Sequence, residues 1–393
     1  MRTSQYYPLA RQVQEQTTAL LLRLFRPTDY SKRCSAGVLL SSLVLAAACR
    51  LSLAAVAALR LRSPSRETLR QALNATLPGY AELRRWLGRL CRASLPRGLQ
   101  KRARRHYPLI LDVHEVAYFK RQHTPPTHVR KGKYRPGTAY GHVYATASLL
   151  RKGQYFVVAL TPYDPDEDLA QLVRRLLRQA AANGFSPRYV LLDRGFWSCA
   201  VFRYLKRAGY PFLTPVVARG KKATATAAAT GTRRFFQGCK SGWYSYRLGQ
   251  RRGPQTVALT VVVQRRNRGG RQGKHGRYAW AYALWRMKLS TIAWVHQSYR
   301  RRFRIESSYR LLEAARGRTS SRDEGWRLWY IVLAVLLLNT WLQLRRTLSR
   351  RRVAAASEWV WWNRLLVALT HRLLRKAADD TPTPTRPSPL NQC

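Results

Sequence analysis

Only 18 Asp and Glu face 72 Lys and Arg in this 393-residue chain. An acid set in an apolar run therefore stands out, because burying a carboxylate costs free energy unless it is paired or used. Asp112 interrupts the apolar run 109–113, and Asp193 closes the run 189–192. Apolar runs of this length, broken at most by a single acid, are the pattern of central strands buried on both faces. On neighbouring strands the two carboxylates converge, and they repel unless a cation lies between them. For such oxygen ligands in a nuclease the cation is Mg²⁺ or Mn²⁺. Two ions can activate an attacking hydroxyl and stabilise the leaving oxygen of an in-line displacement at phosphorus. A third ligand is expected on a helix at the sheet edge, and Glu306 supplies it. Steps of three and four put Tyr299, Arg302, Glu306, Arg310 and Glu313 on one helix face. Arginines there are suited to gripping phosphates bidentately.

The elements that must position these residues follow from pattern. Residues 36–100 read as helical, with a short helix over 51–59 capped by Ser52, a turn at Arg62-Ser63-Pro64, and a second helix from Ser65 to about Leu77. Arg66, Arg70, Gln71 and Asn74 form the polar side of that second helix, as in a helix-turn-helix whose second helix enters the major groove. A basic linker over 92–105 precedes strands at 109–113, 140–150 and 155–160, with a turn at Lys152-Gly153 between the last two. A helix follows, with Asp164 as its expected cap, Pro165 at its first position and Asn183-Gly184 at its end. The strand ending at Asp193, a short helix and a strand over 211–217 complete the order of a ribonuclease-H-like domain.

Strand-like runs at 243–248, 256–264 and 278–285 read as a β insertion, with a basic glycine loop at 267–277. A long helix is expected from Thr291, then an apolar helix opened by a Ser321/Glu324 capping box. The proline-rich tail 379–393 is expected to be disordered. The fold class is thus α/β: a ribonuclease-H-like catalytic domain with a β-strand insertion, behind a helical N-terminal DNA-binding domain. The expected divisions are 1–100 helical, 101–217 catalytic, 218–290 insertion, 291–350 catalytic with the Glu helix and the apolar helix, and 351–393 C-terminal helix and tail.

A net charge of +54 calls for a polyanion, and nucleic acid is the reading that accounts for it. Six scattered cysteines without a C-x-x-C pair argue against a zinc ribbon or a disulfide framework, and place the chain in a reducing compartment. The run 38–49 is too short to span a bilayer, and 328–344 carries Asn339 and Gln343 between flanking arginines, so buried core helices are expected and no membrane partner. The glycine loop lacks the spacing of a phosphate loop, and the histidines form no metal-ligand spacing. Trp243 and Trp280 in the insertion are core aromatics or stacking surfaces for a displaced base.

Asp112 after an apolar run, Asp193-Arg194-Gly195-Phe196 after another, and Tyr299-x-x-Arg302-x-x-x-Glu306 together resemble the DDE signatures of bacterial insertion-sequence transposases. The likeness is to the IS-four-like superfamily with its Y-R-E-K signature, over roughly 109–318. The resemblance implies that Asp112, Asp193 and Glu306 bind two Mg²⁺ or Mn²⁺ ions, while Tyr299 and Arg302 contact the DNA backbone near the cleaved end. It further implies cleavage at element ends, attack of the freed 3′-OH on target DNA, a homodimer on double-stranded DNA, and work on the nucleoid in the cytoplasm. One position departs: the family's Lys, seven residues after the Glu, is Glu313 here, and Arg310 or Arg316 is left to supply the charge. The alternatives are an inactive or domesticated transposase that binds DNA without cutting, and a different nuclease of the same fold, such as a resolvase-like enzyme.

Overall fold

The computed structural model describes residues 7–59, 64–100, 107–119, 128–151, 154–249, 255–267, 277–287, 291–303, 310–321, 323–348 and 362–371. Glu306, the Arg62-Ser63 and Lys152-Gly153 turns, loop positions 268–276 and the tail lie outside them. Two compact units divide the chain, one from Met1–Arg85 with Arg310–Cys393 and one from Trp86–Tyr309.

Capping hydroxyls set the starts of the first helices. Beyond α1 (Tyr7–Phe25), Ser35 accepts from the Val38 amide to open α2 (Ala36–Cys49), and Ser52 accepts from Ala55 at 3.2 Å to open α3 (Leu53–Leu59). Ser65 accepts from Thr68 at 3.0 Å to open α4 (Arg66–Thr76), and α5 (Tyr80–Ala93) and the short α6 (Arg97–Gln100) follow. The 25-residue helix Glu324–Leu348 belongs with the N-terminal helices. Its cap differs from expectation. Asp323 accepts from the Trp326 amide at 2.9 Å, while the Ser321 hydroxyl accepts from Asp323 at 3.1 Å and is spent in a local turn. The window Glu324–Leu344 is long and apolar enough to cross a membrane, yet 89% of it is buried inside the protein, as in a core helix.

The second unit is built on one sheet. β1 (Tyr107–Ala117) pairs antiparallel with β3 (Thr138–Arg151), and β3 pairs antiparallel with β4 (Gln154–Pro162). On its other side β1 is parallel to β5 (Pro187–Leu191), which is parallel to β6 (Phe212–Pro215). The order β4-β3-β1-β5-β6, antiparallel on one side of β1 and parallel on the other, is the ribonuclease-H-like sheet. β2 (Arg130–Arg135) adds a strand beside one end of β3. Its sequence, RKGKYR, has no apolar alternation from which a strand could be read. The insertion does not leave the sheet: β7 (Gly242–Gly249), β8 (Thr256–Asn267) and β9 (Arg277–Trp285) form an antiparallel meander joined to β6 through β9.

The connecting helices cover this sheet with apolar faces. α7 (Leu169–Ala182) buries Leu172, Val173, Leu176, Leu177 and Ala180, and α8 (Cys199–Arg207) buries Val201, Phe202 and Leu205. The cap of α7 is Asp168, in a capping box with Gln171, four residues later than the expected Asp164. Asp164 instead faces Arg175, 3.1 Å away. The short α9 (Arg234–Gln237) packs on β9, and α10 (Ile292–Arg300), capped by Thr291, packs on β8 and β9. The long helix expected from Thr291 is shorter: α10 ends at Arg300 and passes into a 3-10 turn, Arg301–Phe303.

Candidate active site

The site forms where β1 and the end of β5 lie side by side. Asp112 sits mid-strand opposite Thr146 of β3, with its carboxylate on the backbone amide of Val113 at 3.0 Å. Asp193 follows β5 and caps the 3-10 turn Arg194–Phe196, its Oδ1 accepting from the Phe196 amide at 3.3 Å. The Thr214 hydroxyl of β6 donates to the Asp193 carbonyl at 3.2 Å, which fixes the backbone there. Tyr299 in the last turn of α10 and Arg302 in the 3-10 turn that follows are three residues apart and share a face, so the end of α10 presents them together. One nitrogen of Arg302, Nη2, lies 3.2 Å from Asp112 Oδ1 and 3.5 Å from Asp193 Oδ2. Nη1 lies 3.5 Å from the Tyr299 hydroxyl.

Burial sharpens the electrostatics. Asp112 is 7% exposed, Tyr299 4% and Arg302 6%. Loss of water raises the Asp112 pKa to about 6; Arg302, the Val113 amide and His114 oppose that rise, and the charge of Asp193 adds to it. Burial likewise lifts the Tyr299 hydroxyl to about 12. For Arg302 burial works against the charge, but Tyr299, Asp112 and Asp193 outweigh it and raise its pKa. A cavity of about 340 Å³ opens beside this cluster, lined by Asp193, Arg194, Tyr299, Arg302, Trp280 and Tyr282 among others.

A family model described as transposase DDE domain matches residues 104–342, more than half of the chain. The chain belongs to this family. Among solved structures, a piggyBac transposase in a synaptic complex with hairpin DNA is similar in fold, with a TM-score of 0.52 at 12% identity, covering 96% of this chain and 80% of that one. No curated protein matches.

In this DDE transposase the structure brings together Asp112, Asp193, Tyr299, Arg302 and, at the cavity wall, Trp280. Glu306 lies outside the described residues. Trp243 on β7 is 44% exposed and is not among the cavity residues. Arg66, Arg70, Asn74 and Arg310 belong to the helical unit. There Arg66 and Arg70 are exposed, Arg70 pairs with Glu67, and Asn74 accepts the Trp326 indole N–H at 2.8 Å. Glu313 is ion-paired with Arg316 at 2.9 Å. Two further polar residues line the cavity, Tyr282, which the sequence does not single out, and Arg194, which stands in the Asp193-Arg194-Gly195-Phe196 motif without a role of its own. Tyr282, two positions after Trp280 on β9 and therefore on the same face, donates to or accepts from His296 Nδ1 at 2.8 Å. Arg194 stands exposed directly after Asp193.

DDE transposases work with divalent metal ions, and the donor set here suits one: two hard carboxylates close enough for a single guanidinium nitrogen to meet both. Among the described residues no three of His, Cys, Asp and Glu are grouped closely enough to hold an ion.

Proposed function

We propose that this transposase cuts DNA at the ends of its own mobile element and joins the freed 3′-OH to target DNA, by cut and paste. The observation that carries the reading is the convergence of Asp112 and Asp193 from β1 and β5 upon one cation, Arg302. Asp112, Asp193 and Glu306 would hold Mg²⁺ or Mn²⁺, two ions per site. The ions would supply an activated hydroxyl and stabilise the leaving oxygen. Tyr299 and Arg302 would contact the DNA backbone at the cleaved end, with Arg310 adding a phosphate contact. Trp280 in the cavity wall offers a stacking face for a displaced base, and Trp243 a further one on the exposed side of β7. Arg66, Arg70 and Asn74 on α4 would read the end sequence in the major groove. A homodimer on DNA, bridging two ends on the nucleoid, completes the reading.

The test is cleavage and strand transfer on a labelled duplex carrying the terminal repeat of the element. Asp112→Asn and Asp193→Asn should each abolish both reactions while end binding persists, and a chelator should do the same to the unmodified protein. Cleavage surviving in either variant would sink the reading. A second reading, a transposase that binds ends without cutting them, draws on Glu313: an acid neutralised by Arg316 stands where the family has Lys. Uncut duplex with the unmodified protein at full occupancy, in Mg²⁺ and in Mn²⁺, would favour it.

A further inference from the structure

Arg302 occupies an unusual place for a residue assigned to DNA. Its side chain is enclosed, and its charge is spent on the two acids. Yet it is held loosely. Charge-assisted N–H···O contacts are strongest near ~2.7–2.9 Å, whereas its contacts to Asp112, Asp193 and Tyr299 are 3.2, 3.5 and 3.5 Å. Its Nε is buried without a hydrogen-bond partner. The guanidinium also borders the cavity of about 340 Å³, whose wall includes Asp193 and the exposed Arg194. An anion entering that cavity would offer Arg302 a second, better-matched partner.

We propose that Arg302 is a positioning residue that DNA releases. Without DNA it neutralises Asp112 and Asp193 and competes with divalent ions for their oxygens. When a backbone phosphate enters the cavity, the guanidinium exchanges two long carboxylate contacts for a bidentate phosphate, and the carboxylates become available to metal. This rests on the reading of Asp112 and Asp193 as metal ligands. The exchange is favourable in kind, because a planar fork matches phosphate geometry and no charge is left buried without a partner at either end of it. Metal and DNA binding are then linked reciprocally: each raises the affinity for the other by the same factor. Free enzyme is left without loaded ions, and so without the means to cut DNA before a phosphate is in place.

The experiment measures Mn²⁺ binding by electron paramagnetic resonance on the full chain, with and without an end duplex, after subtracting uptake by the duplex alone. The duplex should tighten Mn²⁺ binding about tenfold or more, within the usual range of allosteric coupling. Arg302→Gln should bind Mn²⁺ more tightly than the unmodified protein without DNA, and should gain little more when DNA is added. Arg194→Gln removes the same charge from the same cavity wall and should keep the DNA dependence. Equal Mn²⁺ affinity of the unmodified protein with and without duplex would overturn the proposal while leaving the metal site standing. So would an Arg194→Gln variant that matches Arg302→Gln. No Mn²⁺ binding in either state would overturn both the proposal and the metal reading beneath it. The measurement on the unmodified protein decides even if Arg302→Gln does not fold.

Discussion

Two guanidiniums in the sheet unit each meet two carboxylates, and they do so differently. Arg175 of α7 reaches Asp164 at 3.1 Å and Glu167 at 2.6 Å, and also donates to the Pro162 carbonyl at the end of β4. Arg130 closes the same cluster by donating to the carbonyls of Asp164 and Glu167 while its guanidinium lies 3.7 Å over the Tyr163 ring. Arg302 is more deeply buried, yet its contacts run from 3.2 to 3.5 Å. Both leave Nε without a partner, so the difference lies at the Nη ends. Short contacts that include a backbone carbonyl tie one element to another. Longer contacts made only to side chains hold charges in place without fixing the backbone. The first arrangement belongs to a clamp, and the second to a site that must change partners.

The largest effect expected from this contrast is at the clamp. Arg175→Met keeps much of the packing volume but removes all three Nη contacts from α7, one to the end of β4 and two to the acids that follow it. Breaking a buried pair costs ~3–5 kcal/mol. Partial exposure of this cluster scales that down, to about 2–3 kcal/mol. Urea denaturation of the metal-free protein measures it. A loss below about 1 kcal/mol would place Arg175 with ordinary surface pairs and remove the contrast with Arg302.

An effect of comparable size is written into pH. The Asp112 pKa is raised from 3.8 to about 6, so the folded protein favours its neutral form. Its contribution is therefore fully stabilising below about pH 4 and is lost as pH rises through 6, of the order of 3 kcal/mol at ~1.36 kcal/mol per tenfold. In Asp112→Asn that dependence is absent. Stability of the two proteins, metal-free, should therefore diverge between about pH 4 and pH 7, with the Asn variant gaining on the parent as pH rises. Parallel curves would mean that Arg302 already cancels the burial cost of Asp112, which would make it as tight a clamp as Arg175.

The sequence made the acids legible and left their partner obscure, for a physical reason. An acid inside a run such as 109–113 announces itself, because nothing else in the run is polar. That Arg302 closes on both acids is a long-range contact. Helical spacing already sets Tyr299 and Arg302 on one face, but it does not say that this face meets Asp112 and Asp193. The start of α7 was misplaced because the acids at 164, 166, 167 and 168 all suit a helix N-terminus. Asp164 with Glu167 and Asp168 with Gln171 both have capping-box spacing, so the pattern suits either start, and the structure uses the second. The strand order followed from apolar runs, but β2 could not, its pairing with β3 being backbone work by a basic segment. For α4, the cap at Ser65 was readable, but the use of Asn74 by Trp326, more than two hundred residues away, was not.

The smallest expected effect is the one that most directly compares the two arginines. Arg302→Gln removes a buried cation from two acids, which by the general rule for buried pairs should be costly. Here the cost has an outlet. Asp112 already has a pKa of about 6, so loss of Arg302 pushes that pKa higher and the carboxyl takes up a proton near neutral pH. A protonated Asp112 beside Asp193 can donate a hydrogen bond rather than repel it, and the freed volume lies next to an existing cavity rather than in packed core. The contacts surrendered are long ones, and the desolvation cost of the guanidinium disappears with them. The net loss should be about 1 kcal/mol at pH 7, a fraction of that for Arg175→Met, and smaller still at pH 5, where Asp112 is protonated in both proteins. Urea denaturation of both variants at these two pH values makes the comparison. A cost for Arg302→Gln that equals the Arg175→Met cost and does not shrink on acidification would identify Arg302 as a structural clamp, and would leave no energetic room for its release to a phosphate.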